Sequence, residues 1–376
     1  MPHVALRAAP AGRARSERLD RRLALFRPEV RAGVLRLASR HARLADLAET
    51  FPALLETLAG NRAGIDRAGA MMQVIAGAPL PRAAQTAGVP YWLRRLRPDL
   101  LPAVLPALPD SVAFRSRIAN HLPQRPRQAA PWFKAVAGAS AWADEEIAAW
   151  AGREALRLVG ARAMWNLRRV CLWAWFSRRA GTRAGALVET AWRPDMSYDR
   201  ASEEARAWME AIELLLNLGD RPVADIWLCP AHVDGYDFVP LDSAVEIMRE
   251  GKAMRNCVVT YGDVVAHGRS RLWRVCRDGE PVATLEIVRQ WHNPVPEISS
   301  LLGPLNRDVP ADVWAAAGRW LDGHDLTGFR DLPVEWGSAP LDRAVWTALW
   351  RPYWLARRQV PDWLPLLPTR RALELI

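Results

Sequence analysis

The chain has 376 residues, of which 50% are hydrophobic and 24% are charged, and its formal net charge is +10. This length gives room for two domains with sizeable cores, and the composition excludes a disordered or collagen-like chain. Only Lys134 and Lys252 are lysines, so nearly all of the positive charge is arginine.

The positive charge is distributed unevenly along the sequence. Residues 236–330 contain 11 basic and 13 acidic side chains and carry −2, so the remaining residues carry +12. A basic balance of this kind favours nucleic acid or another anionic surface over small acidic substrates. The simpler alternative is that the excess of arginine reflects codon bias in the coding sequence and the need for a soluble surface.

The four cysteines indicate neither a zinc site nor a disulfide framework. Cys171, Cys229, Cys257 and Cys276 form no Cys-x-x-Cys pair, and no histidine lies at zinc-finger spacing from them. No signal sequence is recognised, and no apolar run approaches the ~18 residues that span a bilayer. We therefore expect a cytoplasmic protein with reduced thiols, without metal, cofactor or membrane partner.

Residues 1–24 are predicted to form a basic arm, and residues 25–235 a helical module. Apolar residues recur there at helical spacing, most clearly over residues 203–218. Short strands are predicted at 226–228 and 236–239, leading into the next domain.

Residues 80–96 of the helical module resemble a helix-turn-helix element. Gly88 is expected to make the turn and Pro90 to open the second helix, whose first residues would reach base edges in DNA. Any antiparallel helix pair with a glycine turn gives the same pattern. The candidate nucleic-acid contacts here are Trp92, Arg94 and Arg95.

The combination of a tryptophan with two arginines recurs elsewhere in the chain. The sequence PYWLRRLRP at 90–98 is echoed by PYWLARRQVP at 352–361 and by WNLRRV at 165–170. A tryptophan that stacks on a base beside an arginine that binds phosphate is typical of single-strand binding. Ordinary helix beginnings with a tryptophan against the core give the same letters. The motif at 352–361 adds Arg357 and Arg358 as candidate nucleic-acid contacts. Both lie in a Trp- and Arg-rich tail over residues 331–376.

Residues 240–321 contain the densest local signals. Two short helices are predicted, divided at Glu250-Gly251, because glycine tolerates the left-handed backbone that ends a helix. A hairpin follows, with its turn at Asp278-Gly279.

The hairpin strands are predicted over residues 272–276 and 282–288, with a third strand at 297–302. Side-chain alternation places Glu286 on a face that a helix is expected to cover. Together with the helical module, this predicts an α+β fold: a mostly helical N-terminal module followed by a small antiparallel sheet flanked by helices.

At these residues the sequence resembles the PcfJ-like family, named for a component of a conjugative-plasmid transfer system. The resemblance covers residues 236–322, within a domain assigned to 236–330. It implies a mobile-element or DNA-transfer context but no particular reaction. We expect nucleic acid as a partner, with DNA favoured, and a protein partner that contacts this domain. The matching residues are Glu250-Gly251, Met254, Cys257-Val258, Tyr261, Thr284, Glu286, Gly303 and Asn306.

Two residues depart from the family pattern: Asn256 stands where the family usually has histidine, and Ser300 where it usually has glutamine. If a His-Cys pair were a catalytic dyad, this chain has lost its base. The first hypothesis is therefore a non-catalytic, nucleic-acid-associated accessory protein.

The alternative hypothesis is an enzyme with a site around Cys257, Tyr261, Glu286 and Asn306. Asn256 is predicted to cap a helix and to place Cys257 in its first turn, facing inward, where a helix N-terminus stabilises a thiolate. A buried structural cysteine is the simpler interpretation. Glu286 is expected either to pair with Glu250 as a carboxylate couple or, on its own, to cap Asn256 or bind a backbone amide.

Overall fold

The structure is a computed structural model that describes residues 17, 19–60, 64–155, 157–158, 161–332 and 342–359. Most of the predicted basic arm (residues 1–24), and much of the predicted tail (residues 331–376), lie outside the described residues. Within the described part of the chain, no helix is both long enough and apolar enough to cross a bilayer.

The fold is α+β, as the sequence predicts: 57% of the described residues are helical, and the C-terminal half contains a five-stranded antiparallel sheet. It forms two compact units. The first unit comprises residues 1–175 and 193–202, and the second comprises residues 176–192 and 203–376.

Short helices that start at proline or at a polar cap dominate the N-terminal half. Asp144, for example, accepts hydrogen bonds at 3.0 Å from the amides of Glu146 and Ile147 and so starts the helix that follows it. The α-helices are α1 Pro28–Ala38, α2 Ala42–Thr50, α3 Pro52–Ala59, α4 Arg67–Ala76, α5 Leu80–Thr86, α6 Val112–Ile118, α7 Pro126–Trp142, α8 Glu145–Glu154, α9 Ala161–Ser177, α10 Arg183–Ala186 and α11 Tyr198–Leu218.

The predicted helix-turn-helix is only partly present. Gly88 makes the turn with φ of 62°, but the predicted recognition helix is a five-residue 3-10 helix, Tyr91–Arg95. Pro98 explains the difference, because it holds Arg97 in an extended conformation (ψ 154°) and prevents the helix from continuing. This segment is too short to read a groove as a recognition helix.

The sheet is a simple meander in the order β1-β2-β3-β4-β5. The predicted turn at Asp278-Gly279 is confirmed, with φ of 52° and 81°. The strands are β1 Ala231–Val233, β2 Tyr236–Pro240, β3 Ser270–Arg277, β4 Glu280–Gln290 and β5 Asn293–Leu302.

One strand prediction is wrong. Residues 226–228 form a turn, because Trp227 has φ of 67° and its amide donates to the side chain of Asp225 at 3.2 Å. A residue with that backbone cannot continue a strand. The first strand begins instead at Ala231.

The helices of the second half of the chain lie between and after the strands. They are α12 Ala244–Met254, α13 Gly262–Ala266, α14 Ala311–Asp322 and α15 Arg343–Arg357, with 3-10 helices at Val258–Tyr261, Pro304–Asn306 and Thr327–Phe329.

The apolar face of the sheet packs on α14. Trp320 is 1% exposed and stacks on Phe238, with ring centroids 4.7 Å apart and planes 4° apart, while Trp273 meets it edge-on at 4.7 Å. The indole of Trp320 also donates to the Cys229 carbonyl at 3.1 Å. Ala283, Leu285 and Ile287 of β4 face this core.

The opposite face of the sheet carries α12, and the predicted division of this helix at Glu250-Gly251 is wrong. The helix continues through Gly251 to Met254, and Arg255 ends it in the left-handed conformation with φ of 51°. Gly251 is required for a different reason: a Cβ there would lie 2.7 Å from the side chain of Val259, which packs against it.

We predict that Trp320→Ala lowers the free energy of unfolding by about 3–5 kcal/mol, because it removes the largest side chain shared by α14 and the sheet. Trp314→Ala on the same helix is the matched control. Trp314 is 44% exposed, so its removal should change stability by about 0.5 kcal/mol or less. Urea unfolding of both variants checks the prediction, and equal losses would contradict the assigned core face.

Candidate functional site

A buried carboxylate joins α12 to the sheet. Glu250 is fully buried; its Oε2 accepts from Arg274 Nε at 2.6 Å and its Oε1 from the Thr284 hydroxyl at 2.7 Å. Arg274 also contacts Glu246 at 3.3 Å. Burial lowers the pKa of Arg274, but the hydrogen bond and charge of Glu250 outweigh it, and the net shift is upward.

Asn256 belongs to the same network. Its Nδ2 donates to the Thr284 hydroxyl at 2.9 Å, and its Oδ1 accepts from the amide of Val258 at 3.3 Å. Asn256 therefore binds Thr284 and not Glu286, and it precedes a 3-10 helix where an α-helix was predicted.

Glu286 occupies a separate part of the same face. Its carboxylate accepts from the hydroxyl of Ser270 on β3 at 3.0 Å and from that of Ser300 on β5 at 3.4 Å. No cation pairs with this half-buried carboxylate among the described residues. The predicted couple of Glu250 and Glu286 does not form a hydrogen-bonded pair, since each carboxylate has its own set of donors.

Tyr261 lies within electrostatic range of both Glu286 and Cys257. Burial raises the pKa of the Tyr261 hydroxyl, and the charges of Glu286 and Cys257 raise it further. Tyr261 is therefore the link between the other two predicted site residues. Tyr261 stays protonated at neutral pH and is suited to donate a hydrogen bond.

The expected orientation of Cys257 is wrong. Cys257 precedes the 3-10 helix and its side chain is exposed, so it is neither a buried structural cysteine nor an inward-facing residue of a helix turn. A 3-10 helix of four residues also supplies little of the dipole that would stabilise a thiolate.

Asn306 is separate from the other three predicted residues. It lies in the exposed 3-10 helix after β5, has φ of 58°, and makes no hydrogen bond or ion pair with Cys257, Tyr261 or Glu286. The left-handed backbone explains why asparagine suits this position as a turn residue.

A second candidate site lies in the first unit, between α7, α9 and the Pro-rich segment 102–106. It is an open cleft of about 600 Å³ with an apolar floor that includes Phe133 and Met164. Trp142 and Trp165 line it together with the cations Lys134 and Arg168. Arg168 lies over Trp142 at 4.9 Å and Arg169 over Trp165 at 5.4 Å.

The backbone of α7 is shaped to accept one of these tryptophans. A Cβ on Gly138 would lie 3.0 Å from the ring of Trp142, so glycine lets the indole lie directly against the helix. Trp165, which also lines the cleft, is 38% exposed.

The tryptophans of the other two Trp-Arg motifs are placed differently. Trp92 is 6% exposed, donates to the Pro109 carbonyl at 3.0 Å and packs on Trp132, so it is a core residue and not a base-stacking one. Arg94 and Arg95 beside it are exposed. In the motif at 352–361, Trp354 lies within α15 and is half-buried, next to the buried Tyr353.

Arg357 is half-buried and Arg358 is exposed; both lie at the end of α15, where Arg358 ends the helix with φ of 53°.

Sequence reasoning missed Ser270 and Arg274, which hold the two carboxylates. Strand alternation contained the signal, since both lie on the same face of β3 and Thr284 lies opposite Arg274 in the register.

We predict that Glu250→Gln lowers the free energy of unfolding by about 3 kcal/mol, because it leaves the guanidinium of Arg274 partly buried without its closest anion. Glu246→Gln is the matched control. Its carboxylate is 29% exposed and contributes about 1 kcal/mol or less. Equal losses in urea unfolding would contradict the role assigned to Glu250.

Comparison with known proteins gives one family and no individual relative. No curated protein and no solved structure matches the chain. A family model described as PcfJ-like protein matches residues 224–308, which starts 12 residues before and ends 14 residues before the predicted range of 236–322. This segment contains the whole sheet and both carboxylate clusters. The resemblance to the PcfJ-like family is therefore shown for residues 224–308, which are called the PcfJ-like segment below.

Proposed function

We propose that the protein is a non-catalytic accessory protein that binds nucleic acid, with DNA favoured, through its first unit. The observation that carries the proposal is the division of charge. The first unit has 29 basic and 15 acidic residues, a net charge of +14, whereas the second unit has a net charge of −4. Phosphate backbones are attracted by such a surface through release of their counterions.

The cleft between α7 and α9 has the two features that binding of single-stranded nucleic acid requires. An unpaired base needs an aromatic surface, and its phosphate needs a nearby cation. Trp165 offers the partly exposed ring, while Lys134 and Arg168 lie at the same cleft. This arrangement favours a single strand over a duplex, because bases in a duplex are already stacked.

The PcfJ-like segment is assigned a different role. Its charge is close to balanced, and it lacks the cations that a nucleic-acid surface needs in number. We assign it to contact with a protein partner in a cytoplasmic DNA-transfer or mobile-element setting, which the family resemblance implies.

We predict that Trp165→Ala weakens binding of single-stranded DNA by about tenfold or more, since one base stack contributes about 1–3 kcal/mol. Arg168→Gln should weaken binding to all nucleic acids and reduce the slope of log affinity against log salt by about 1. Fluorescence anisotropy with single- and double-stranded DNA and RNA at several salt concentrations measures both effects.

The matched controls are Trp314→Ala and Arg307→Gln, which change an exposed tryptophan and an exposed arginine in the second unit. Neither should alter affinity. No binding at low salt, or affinity that does not change with salt, would remove the proposal. Equal losses in the controls would show that the cleft is not the site.

A second candidate function is an enzyme with Cys257 as the nucleophile. The position of Tyr261 within electrostatic range of both Cys257 and Glu286 favours it. The absence of a histidine contact to Cys257 among the described residues weighs against it, because a thiol nucleophile needs a base or a cation beside it.

Thiol alkylation separates the two functions, because Cys229 is also exposed and serves as an internal control. We expect iodoacetamide to label Cys257 and Cys229 at similar rates across pH, with Cys257→Ser and Cys229→Ser identifying each thiol. Labelling of Cys257 that is about tenfold faster near neutral pH would support the enzyme.

A further inference from the structure

Two arginines lie buried side by side at one end of the apolar face of the sheet. Arg271 on β3 and Arg289 on β4 are each only 8% exposed. Arg271 is paired in register with Ile287, so Arg289 is its diagonal neighbour on the same face. Burying two like charges together is costly unless an anion compensates them.

The protein holds both guanidiniums with carbonyl oxygens only. Arg271 donates from Nε to Asp225 and from Nη1 to Val265 (3.0 Å) and Ser270 (2.8 Å). Arg289 donates from Nε to Pro294 and from Nη2 to Leu332, both at 2.8 Å. Neither arginine forms an ion pair within the described part of the chain, and Nη2 of Arg271 and Nη1 of Arg289 donate to no protein atom there.

The electrostatic consequence is visible in both groups. The pKa of Arg271 is lowered to about 10, because burial and the charge of Arg289 together outweigh the opposing charge of Asp225. Burial also lowers the pKa of Arg289, again against Asp225. Asp225 itself is exposed and uses its Oδ1 to accept from the amide of Trp227 at 3.2 Å.

Both guanidiniums lie over the indole of Trp227. Arg271 stacks on it at 4.6 Å and Arg289 at 5.5 Å. Trp227 has φ of 67°, a left-handed backbone that is costly for a bulky side chain, and its buried indole N–H has no acceptor. Strain of this kind is concentrated at ligand sites. A buried indole N–H without an acceptor and two guanidiniums without an ion pair therefore lie next to one another.

We propose that Arg271, Arg289 and Trp227 form an oxyanion site that takes a phosphate group. Two fixed guanidiniums match the two charges of a phosphate dianion better than the single charge of a carboxylate, and arginine forks favour the same geometry. The phosphate belongs either to a free phosphomonoester or to the end of a nucleic-acid strand. This site lies in the PcfJ-like segment and is independent of the cleft in the first unit.

The test is calorimetric titration of the full chain with inorganic phosphate at fixed ionic strength, with acetate in parallel. We expect saturable binding of phosphate, at least about tenfold weaker binding in Arg289→Gln, and little binding of acetate. Arg307→Gln, an exposed arginine of the same unit, is the matched control and should leave phosphate binding unchanged.

A variant that gains affinity guards against loss of folding. Asp225→Asn keeps the acceptor for the amide of Trp227 but removes the one negative charge that both guanidiniums feel, so it should bind phosphate severalfold more tightly. A purely structural role for the arginines would leave phosphate affinity unmoved by this change.

Two results would overturn the proposal. The first is wild-type protein that shows no saturable phosphate binding. The second is a phosphate affinity that is the same in Arg289→Gln, Asp225→Asn and the wild type. In the latter case the phosphate binds the basic first unit only. Oligonucleotides with and without a 5′ phosphate separate a strand end from a free phosphomonoester. If the site takes the end of a strand, the wild-type protein binds the phosphorylated oligonucleotide more tightly, and Arg289→Gln binds both oligonucleotides equally.

Discussion

The fully buried carboxylate of Glu250 is the constraint on which the second unit depends. It receives one hydrogen bond from Arg274 on β3 and one from Thr284 on β4, and so it fixes α12 across two strands at once. The end of α12 then sets where the following loop crosses the sheet, with Asn256 bound to Thr284 and Tyr261 near Glu286. A buried charge of this kind is worth little as net stability, but its partners must be correctly placed, which makes it a determinant of register.

The two faces of the sheet divide the work of the fold. The face that packs on α14 is apolar and rich in aromatic rings, so hydrophobic burial holds it together. The face under α12 carries two carboxylates, each satisfied by its own donors. Glu250 and Glu286 therefore lie on the face opposite the apolar core and do not interrupt its packing. Arg271 and Arg289, at the end of the apolar face, are the exception.

Local patterns predicted the sheet well and the helix ends poorly. The hairpin turn at Asp278-Gly279 and the alternation along β4 depend on neighbours in sequence, which explains why they could be read directly. Gly251 was misread as a helix end, because its purpose is to admit Val259 from the next segment, a contact that no local pattern contains. Trp92 was misread as a base-stacking residue, because the Pro109 carbonyl that accepts its hydrogen bond lies 17 residues away. In the same way, the sequence located the excess of positive charge but not the cleft, since the cleft exists only where α7 and α9 meet.

Asn256 and Cys257 are neighbours in sequence but have different surroundings. Both polar groups of Asn256 are used inside the fold, by Thr284 and by the amide of Val258, whereas the side chain of Cys257 is exposed. No hydrogen bond joins the two side chains. Asn256 therefore serves to join the segment after α12 to β4, and this structural role accounts for both of its polar groups. A binding role for the domain is compatible with this arrangement, because it requires no base beside the thiol.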